Sequence, residues 1–325
     1  MTDINIPQSK SWQDRTDYIK DLFPRAVPPL DGYTSLKEML YYCACAIRVL
    51  RHYDVVVTAD IKLTQLLAMY RRLFFIRKPR QVVLELMLDE QRAGIAWKLK
   101  VLLQRFVFSS VDLVFVSSTG EVETYSRRLK KRREEFRFLP FHTNVVRPER
   151  TAGGNGYIFS AGKTGRDFAV LADALRGTDI RAVVVSDEEN VRGVEIPGNM
   201  VVRKNVSYDE YLRLLEGSLF VVVPLKRCVK STGQVVILEA MALGKPVIAT
   251  QTVGTVDYVD HGKNGLLVPV SDREALRRAI VGLKADPALQ EELAKEGLRS
   301  VEQLHTFEKY INAILDASEE LAWRS

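Results

Sequence analysis

The sequence predicts an α/β protein with two Rossmann-like halves. Ten short apolar runs rich in β-branched residues alternate with helical patterns, an order that builds βαβ units and parallel sheets. A polar, glycine-rich segment, RPERTAGGNG (147–156), interrupts the series and coincides with a change in charge. In the first half the runs are VVVTA (55–59), QVVLEL (81–86), LVFVSS (113–118) and FRFLP (136–140). In the second they are YIFSA (157–161), AVVVS (182–186), NMVVRK (199–204), LFVVVP (219–224), PVIAT (246–250) and GLLVP (265–269). Residues 1–34 offer no strand, and the helical SLKEMLYYCACAIRVL (35–50) precedes the first one. The amino-terminal domain is therefore expected to be abbreviated or rearranged. Helix signals are clearest in the second half. Ser271 followed by Glu274 reads as a capping box, Asp286-Pro287 opens the next helix, and Asn264-Gly265 marks a turn before a strand. The expected division is residues 1–150, 151–305 and a final helix within 306–325.

Composition bounds the function. The 325 residues are 46% hydrophobic and 27% charged, as in a soluble globular protein of two ordinary domains. No apolar run reaches the length of a membrane span, and the polar start MTDINIPQSKSWQDR lacks the apolar core of a secretory signal. Cys43, Cys45 and Cys228 form no CxxC pair, so a reducing, cytoplasmic setting is expected. Residues 1–150 carry 26 basic against 17 acidic side chains, a charge of +9, and the remainder carries −3. RRLFFIRKPR (71–80) and SRRLKKRREE (126–135) concentrate the excess. Such clusters suit phosphates or anionic lipid headgroups, or else form a solvated helix face. AGIAWKLKVLLQRFVFSS (93–110) is amphipathic, and either packs on its own sheet or lies at an anionic membrane surface, peripheral on its cytoplasmic side. Aromatic residues interleave poorly with these charges and no RNA-binding motif is present, so nucleic acid is not expected as a partner.

The chemistry concentrates in STGQVVILEAMALGKPVIAT (231–250). A loop of Ser231, Thr232 and Gly233 precedes a helix that is apolar nearly all round, and therefore buried, except for Glu239. Gly244 and Pro246 end that helix. Small hydroxyl residues and glycine at a helix N-terminus leave backbone N–H groups free for an anion. Glu239, one and a half turns in, points back toward that end. A phosphate site beside a carboxylate that accepts from hydroxyls describes a nucleotide: diphosphate on the loop, ribose on the glutamate. The alternative is that the hydroxyls merely cap the helix while Glu239 faces water.

LEAMALGKPVIAT followed by GTVDYVDHGKNGLLVPVSD resembles the carboxyl-terminal signature of glycosyltransferase family 4, enzymes of the GT-B fold. The resemblance is strong over residues 155–285 and weak before 110. It implies two Rossmann-like domains facing a cleft, an acceptor-side domain first and a donor-binding domain second, with the final helix crossing back. It also implies that Glu239 binds the donor ribose. The family's second glutamate, eight positions earlier, contacts the transferred sugar; here that position is Ser231, and Ser231-Thr232-Gly233-Gln234 replaces the usual Glu-Gly-Phe-Gly. This resembles a branch with Ser-Gly-Gln in the loop. Thr232, Gly233 and Gln234 then join the diphosphate site, and Ser231 meets the donor sugar.

GYIFSAGKTGRDFAVLADAL (156–175) suggests a P-loop, but five residues separate Gly156 from Gly162 and Ala161 stands where glycine is required. A strand, a tight glycine loop and a helix beginning near Arg166 fit better, with Lys163 and Arg166 projecting from the loop. In the resembled family an Arg and a Lys of this loop hold the donor diphosphate, which makes Gly162, Lys163 and Arg166 the candidates here. Fixed positive charge and helix N–H dipoles stabilise a departing diphosphate without proton transfer. No Asp-x-Asp pair occurs, so neither a metal nor another cofactor is expected. The base is expected between SDEEN and RKNVS, by the crevice rule for parallel sheets. After VVLEL, where family 4 often has histidine, MLDEQR supplies only Asp89 and Glu90 as catalytic candidates. His142 reads as structural, and His52, His261 and His305 as surface residues. The expected activity is metal-independent, retaining transfer of a sugar from a nucleoside diphosphate donor to a glycan or lipid-linked acceptor, as in polysaccharide biosynthesis. A non-catalytic nucleotide-sugar-binding subunit is the alternative, with a nucleic-acid-binding protein behind it.

Overall fold

The computed structural model describes residues 10–16, 47, 50, 52–90, 92–145, 149–150 and 154–323. The strandless stretch expected over 1–34, the helix expected over 35–50 and the middle of the 147–156 segment lie largely outside the described residues. The chain divides into one compact unit of Met1–Leu139 with Glu308–Ser325 and a second of Pro140–Phe307.

In the first unit, β1 (Val55–Thr58), β2 (Arg80–Val83), β3 (Leu113–Val116) and β4 (Phe136–Phe138) form a parallel sheet in that order. The short α1 (Lys10–Arg15) precedes them; α2 (Ile61–Leu73), α3 (Ile95–Phe108) and α4 (Thr119–Leu129) connect them. A monotonic strand order with right-handed crossovers puts α2, α3 and α4 on one face. β2 is shorter than the QVVLEL run because Glu85 takes a left-handed φ of 49°, which ends the extended backbone. Val83, Leu88, Phe108, Val114 and Leu129 fill the core.

The basic cluster 71–80 is partly internal. Arg71 is buried, 3.0 Å from Asp112, and also donates to the carbonyls of Ser110 and Arg77. Asp112 further accepts from Arg80 and the Gln81 amide, so its charge is fully hydrogen-bonded. The 126–135 cluster is also paired locally: Lys131 with Glu135, and Arg127 and Arg133 with Glu123. α11 (Phe307–Trp323) packs with this unit through Tyr310 on Glu85 and Arg137 on Glu320.

The second unit carries a six-stranded parallel sheet. In chain order its strands are β5 (Tyr157–Ala161), β6 (Arg181–Val185), β7 (Met200–Arg203), β8 (Val221–Val223), β9 (Val247–Thr250) and β10 (Leu266–Val268). Their spatial order is β10-β9-β8-β5-β6-β7. The helices are α5 (Phe168–Leu175), α6 (Glu188–Val191), α7 (Tyr208–Glu216), α8 (Gln234–Ala242), α9 (Arg273–Ala285) and α10 (Pro287–Leu304). From β5 the chain winds outward through β6 and β7, then returns to β8 and winds the other way. The reversal leaves a crevice beyond the carboxyl ends of β5 and β8. The base is expected from the sequence at the loops after β6 and β7, strands that wind in one direction away from β5. α8 is buried on nearly all sides, and Gly244, at φ 62°, follows it. The cap of α9 is Asp272, whose carboxylate accepts from Ala275, and not Ser271, which is held in a left-handed conformation. Asp286 caps α10 ahead of Pro287 as expected.

Candidate functional site

Three strand-end loops of the second unit meet at the start of α8. Gly233 stands at its N-cap with φ 99°, a conformation only glycine takes without strain, and supplies no capping side chain. The first N–H groups of α8 are thus left for another acceptor. The β5 loop lies alongside: a Cβ on Gly165 would stand 3.1 Å from Thr232 Oγ1, and Lys226 N donates to Gly165 O. The turn after β9 closes the other side, where a Cβ on Gly254 would come within 2.5 Å of Thr232 N. Ser231, Thr232 and Gln234 are all buried. The Gln234 Nε2 amide is buried with no hydrogen-bond partner, an orphan donor at the helix tip. Beside the loop lies a pocket of about 290 Å³ lined by Arg227, Cys228, Gln251, Thr252, Val253, Val256 and Val270.

The two cations of the β5 loop differ. Lys163 projects, with Nζ 3.2 Å from Asp187. Arg166 does not project: its Nε donates to Ala161 O at 2.6 Å and its Nη1 to Thr164 O at 2.9 Å. The backbone carbonyls of the tight loop need donors, and the guanidinium fork supplies them from inside. Burial lowers the Arg166 pKa to about 10, which leaves it cationic at neutral pH.

Glu239 is 1% exposed and does not face water. Its Oε2 accepts from Tyr211 Oη at 2.6 Å; its Oε1 accepts from Tyr208 Oη at 2.9 Å and from Asn144 Nδ2 at 3.5 Å. Burial raises its pKa, opposed by the hydrogen bonds from Tyr211, Tyr208 and Asn144. Burial and the Glu239 charge raise both tyrosines as well, and for Tyr211 the nearby Arg166 works the other way. Sequence reasoning missed these partners. Tyr208 and Tyr211, at helical spacing in SYDEYLRLLEG, were the available signal.

The remaining candidates lie elsewhere. Asp89 and Glu90 are exposed residues of the first unit, Asp89 being 2.6 Å from Lys100. The His142 ring sits between Phe141 and Phe307. His305 is buried, not a surface residue; it bonds Phe141 O, and burial lowers its pKa. His261 accepts from Leu267 N.

Residues 166–286 match the family model described as "Glycosyl transferases group 1". The matched span holds Arg166, Ser231–Gln234 and Glu239. An uncharacterized glycosyltransferase of Methanocaldococcus jannaschii is 28% identical over 162 residues, 47% of this chain and 44% of that protein. A D-rhamnosyltransferase of Pseudomonas aeruginosa is 28% identical over 144 residues, 42% of this chain and 38% of that protein. The matches thus span less than half the length of these curated relatives. Among solved structures, sucrose-phosphate synthase from Thermosynechococcus elongatus superimposes with a TM-score of 0.70 at 20% identity, covering 93% of this chain and 83% of its own. Anabaena HepE, solved in complex with UDP-glucose, gives 0.67 at 15% identity, over 88% and 84%. The α/β fold with parallel sheets matches these GT-B glycosyltransferase structures.

Proposed function

We propose that this chain is a nucleotide-sugar-dependent glycosyltransferase of family 4, from a branch with a Ser-Gly-Gln-like loop. The observation that carries the reading is the arrangement on α8: an uncapped N-terminus with the orphan Gln234 amide at its tip, and one buried carboxylate further along. The diphosphate of the donor meets the N–H groups around Thr232, Gly233 and Gln234, with Lys163 beside it. Arg166 braces the loop formed with Gly162 and adds its charge from below. Glu239 accepts from the ribose hydroxyls. The pocket of about 290 Å³ lies beside the loop, and Ser231 replaces the carboxylate that would otherwise touch the sugar. That UDP and UDP-glucose occupy a structural neighbour supports a nucleotide-sugar donor.

The reaction breaks the bond from the anomeric carbon to the diphosphate and forms one to an acceptor hydroxyl on the same face. The departing phosphate oxygen takes the acceptor proton, so the site needs positive charge and N–H dipoles more than a base or a metal. A glycan or lipid-linked acceptor belongs to the first unit, where Asp89 and Glu90 are the acidic side chains of the β2 loop. Ile95, Leu99, Leu102, Leu103 and Phe106 of α3 are exposed together with Leu73, Phe74 and Phe75, and Arg72 lies over the Phe75 and Phe106 rings. This apolar surface, with Lys78, Lys98 and Lys100 also exposed in the same segments, suits an anionic, cytoplasmic membrane face. Among the described residues no helix is long and apolar enough to cross a membrane. Ser231 also favours a second reading, a nucleotide-sugar-binding subunit without turnover. Incubating the protein with a panel of uridine, guanosine and adenosine diphosphate sugars tests both. Release of nucleoside diphosphate supports the transferase, whereas donor binding without release supports the subunit.

A further inference from the structure

A carboxylate that is 1% exposed has no room for an added partner, yet the proposed function requires a ribose to reach Glu239. The structure already seats two phenols and an amide on it. Tyr211 is fixed: it makes the shorter bond, and its ring packs edge-on against Phe159 at 5.6 Å. Asn144 makes only a long contact, at 3.5 Å. Tyr208 is different in kind. It is the first residue of α7, 49% exposed, three residues after Asn205, which holds a left-handed φ of 54°. Its ring stacks on Tyr211 at 5.8 Å, and no other ring contact holds it among the described residues.

We propose that Tyr208 is a displaceable cap whose phenol holds the place of a ribose hydroxyl on Glu239 Oε1 until the donor takes it. The inference rests on the reading of Glu239 as the ribose-binding acid. In the empty site Tyr208 keeps a buried carboxylate hydrogen-bonded, which would otherwise be costly. On binding, one O–H donor on Oε1 is exchanged for another, so competition with Tyr208 offsets part of what the ribose hydroxyls gain on Glu239 and lowers the affinity. Tyr208 is a positioning residue in this scheme, since it acts through Glu239.

Tyr208→Phe keeps the ring and removes only the competing hydroxyl. Calorimetry with uridine, guanosine and adenosine diphosphates, each beside its 2′,3′-dideoxy analogue, reads the effect. The best-binding diphosphate is expected to bind Tyr208→Phe about three- to tenfold more tightly than wild type. The dideoxy analogue, which has no hydroxyl to offer, is expected to gain nothing. In turnover the variant lowers KM without raising kcat. Affinity unchanged or weakened for both ligands means that Tyr208 only supports the fold, and overturns the proposal. If wild type binds the ribose and dideoxyribose forms equally, the ribose reading itself fails, whatever Tyr208→Phe does.

Discussion

Lys163 and Arg166 stand three residues apart in one loop, and their environments give them separate work. Lys163 reaches solvent with a single exposed partner, Asp187, and can leave it at little cost. Arg166 is committed to two carbonyls of its own loop. Lys163→Ala is therefore expected to leave stability nearly unchanged and to lower kcat more than donor affinity, because the departing diphosphate gains charge as the bond breaks. Steady-state kinetics beside calorimetry separates the two effects, and wild-type values for both would remove Lys163 from the site. The side-chain directions were not legible in the sequence: GKTGR supplies the cations, but which one folds inward depends on carbonyls that only the closed loop presents. The partners of Glu239 were hidden for a related reason. They lie 28, 31 and 95 residues away, and no local pattern ties them to α8.

At the scale of elements, α8 and α3 break the ordinary amphipathic rule in opposite ways. α8 is apolar all round because strands and helices enclose it, and its one charge is met by hydroxyls. α3 buries Trp97, Gln104, Val107 and Phe108 against its own unit, yet also turns Ile95, Leu99, Leu102, Leu103 and Phe106 outward. One face thus packs on its own unit, as one of the two readings of its sequence expects, and the other stays exposed. If that outer face meets an anionic bilayer, the protein sediments with vesicles containing phosphatidylglycerol and much less with phosphatidylcholine alone. Leu99→Glu with Leu103→Glu then abolishes sedimentation while donor affinity stays at the wild-type level, since both positions belong to the unit without α8. Equal sedimentation of the variant would exclude this face as the contact. The ten strands were legible because period and punctuation carry them, whereas several helices between them were not individually placed. Ser271 and the short β2 were misread because left-handed residues leave no reliable trace outside glycine and asparagine.

Across the molecule, the order of strands explains why one helix tip carries the donor site in this account. The winding reverses between β5 and β8, and the loops after β5, β8 and β9 gather there. Strand order is not written in periodicity, so the reversal of winding between β5 and β8, two strand gaps from the β6 and β7 loops where the base is expected, was not legible in the sequence. The donor base, the sugar and the acceptor leave no comparable mark in the residues. Glu239 gripping a pentose is the central feature of the proposed donor site. Calorimetric titration of wild type and Glu239→Ala with uridine, guanosine and adenosine diphosphates tests that most directly. Loss of about 1–3 kcal/mol for the diphosphate that binds best, in a variant that still folds, is the predicted result. Unchanged affinity for all three would contradict it.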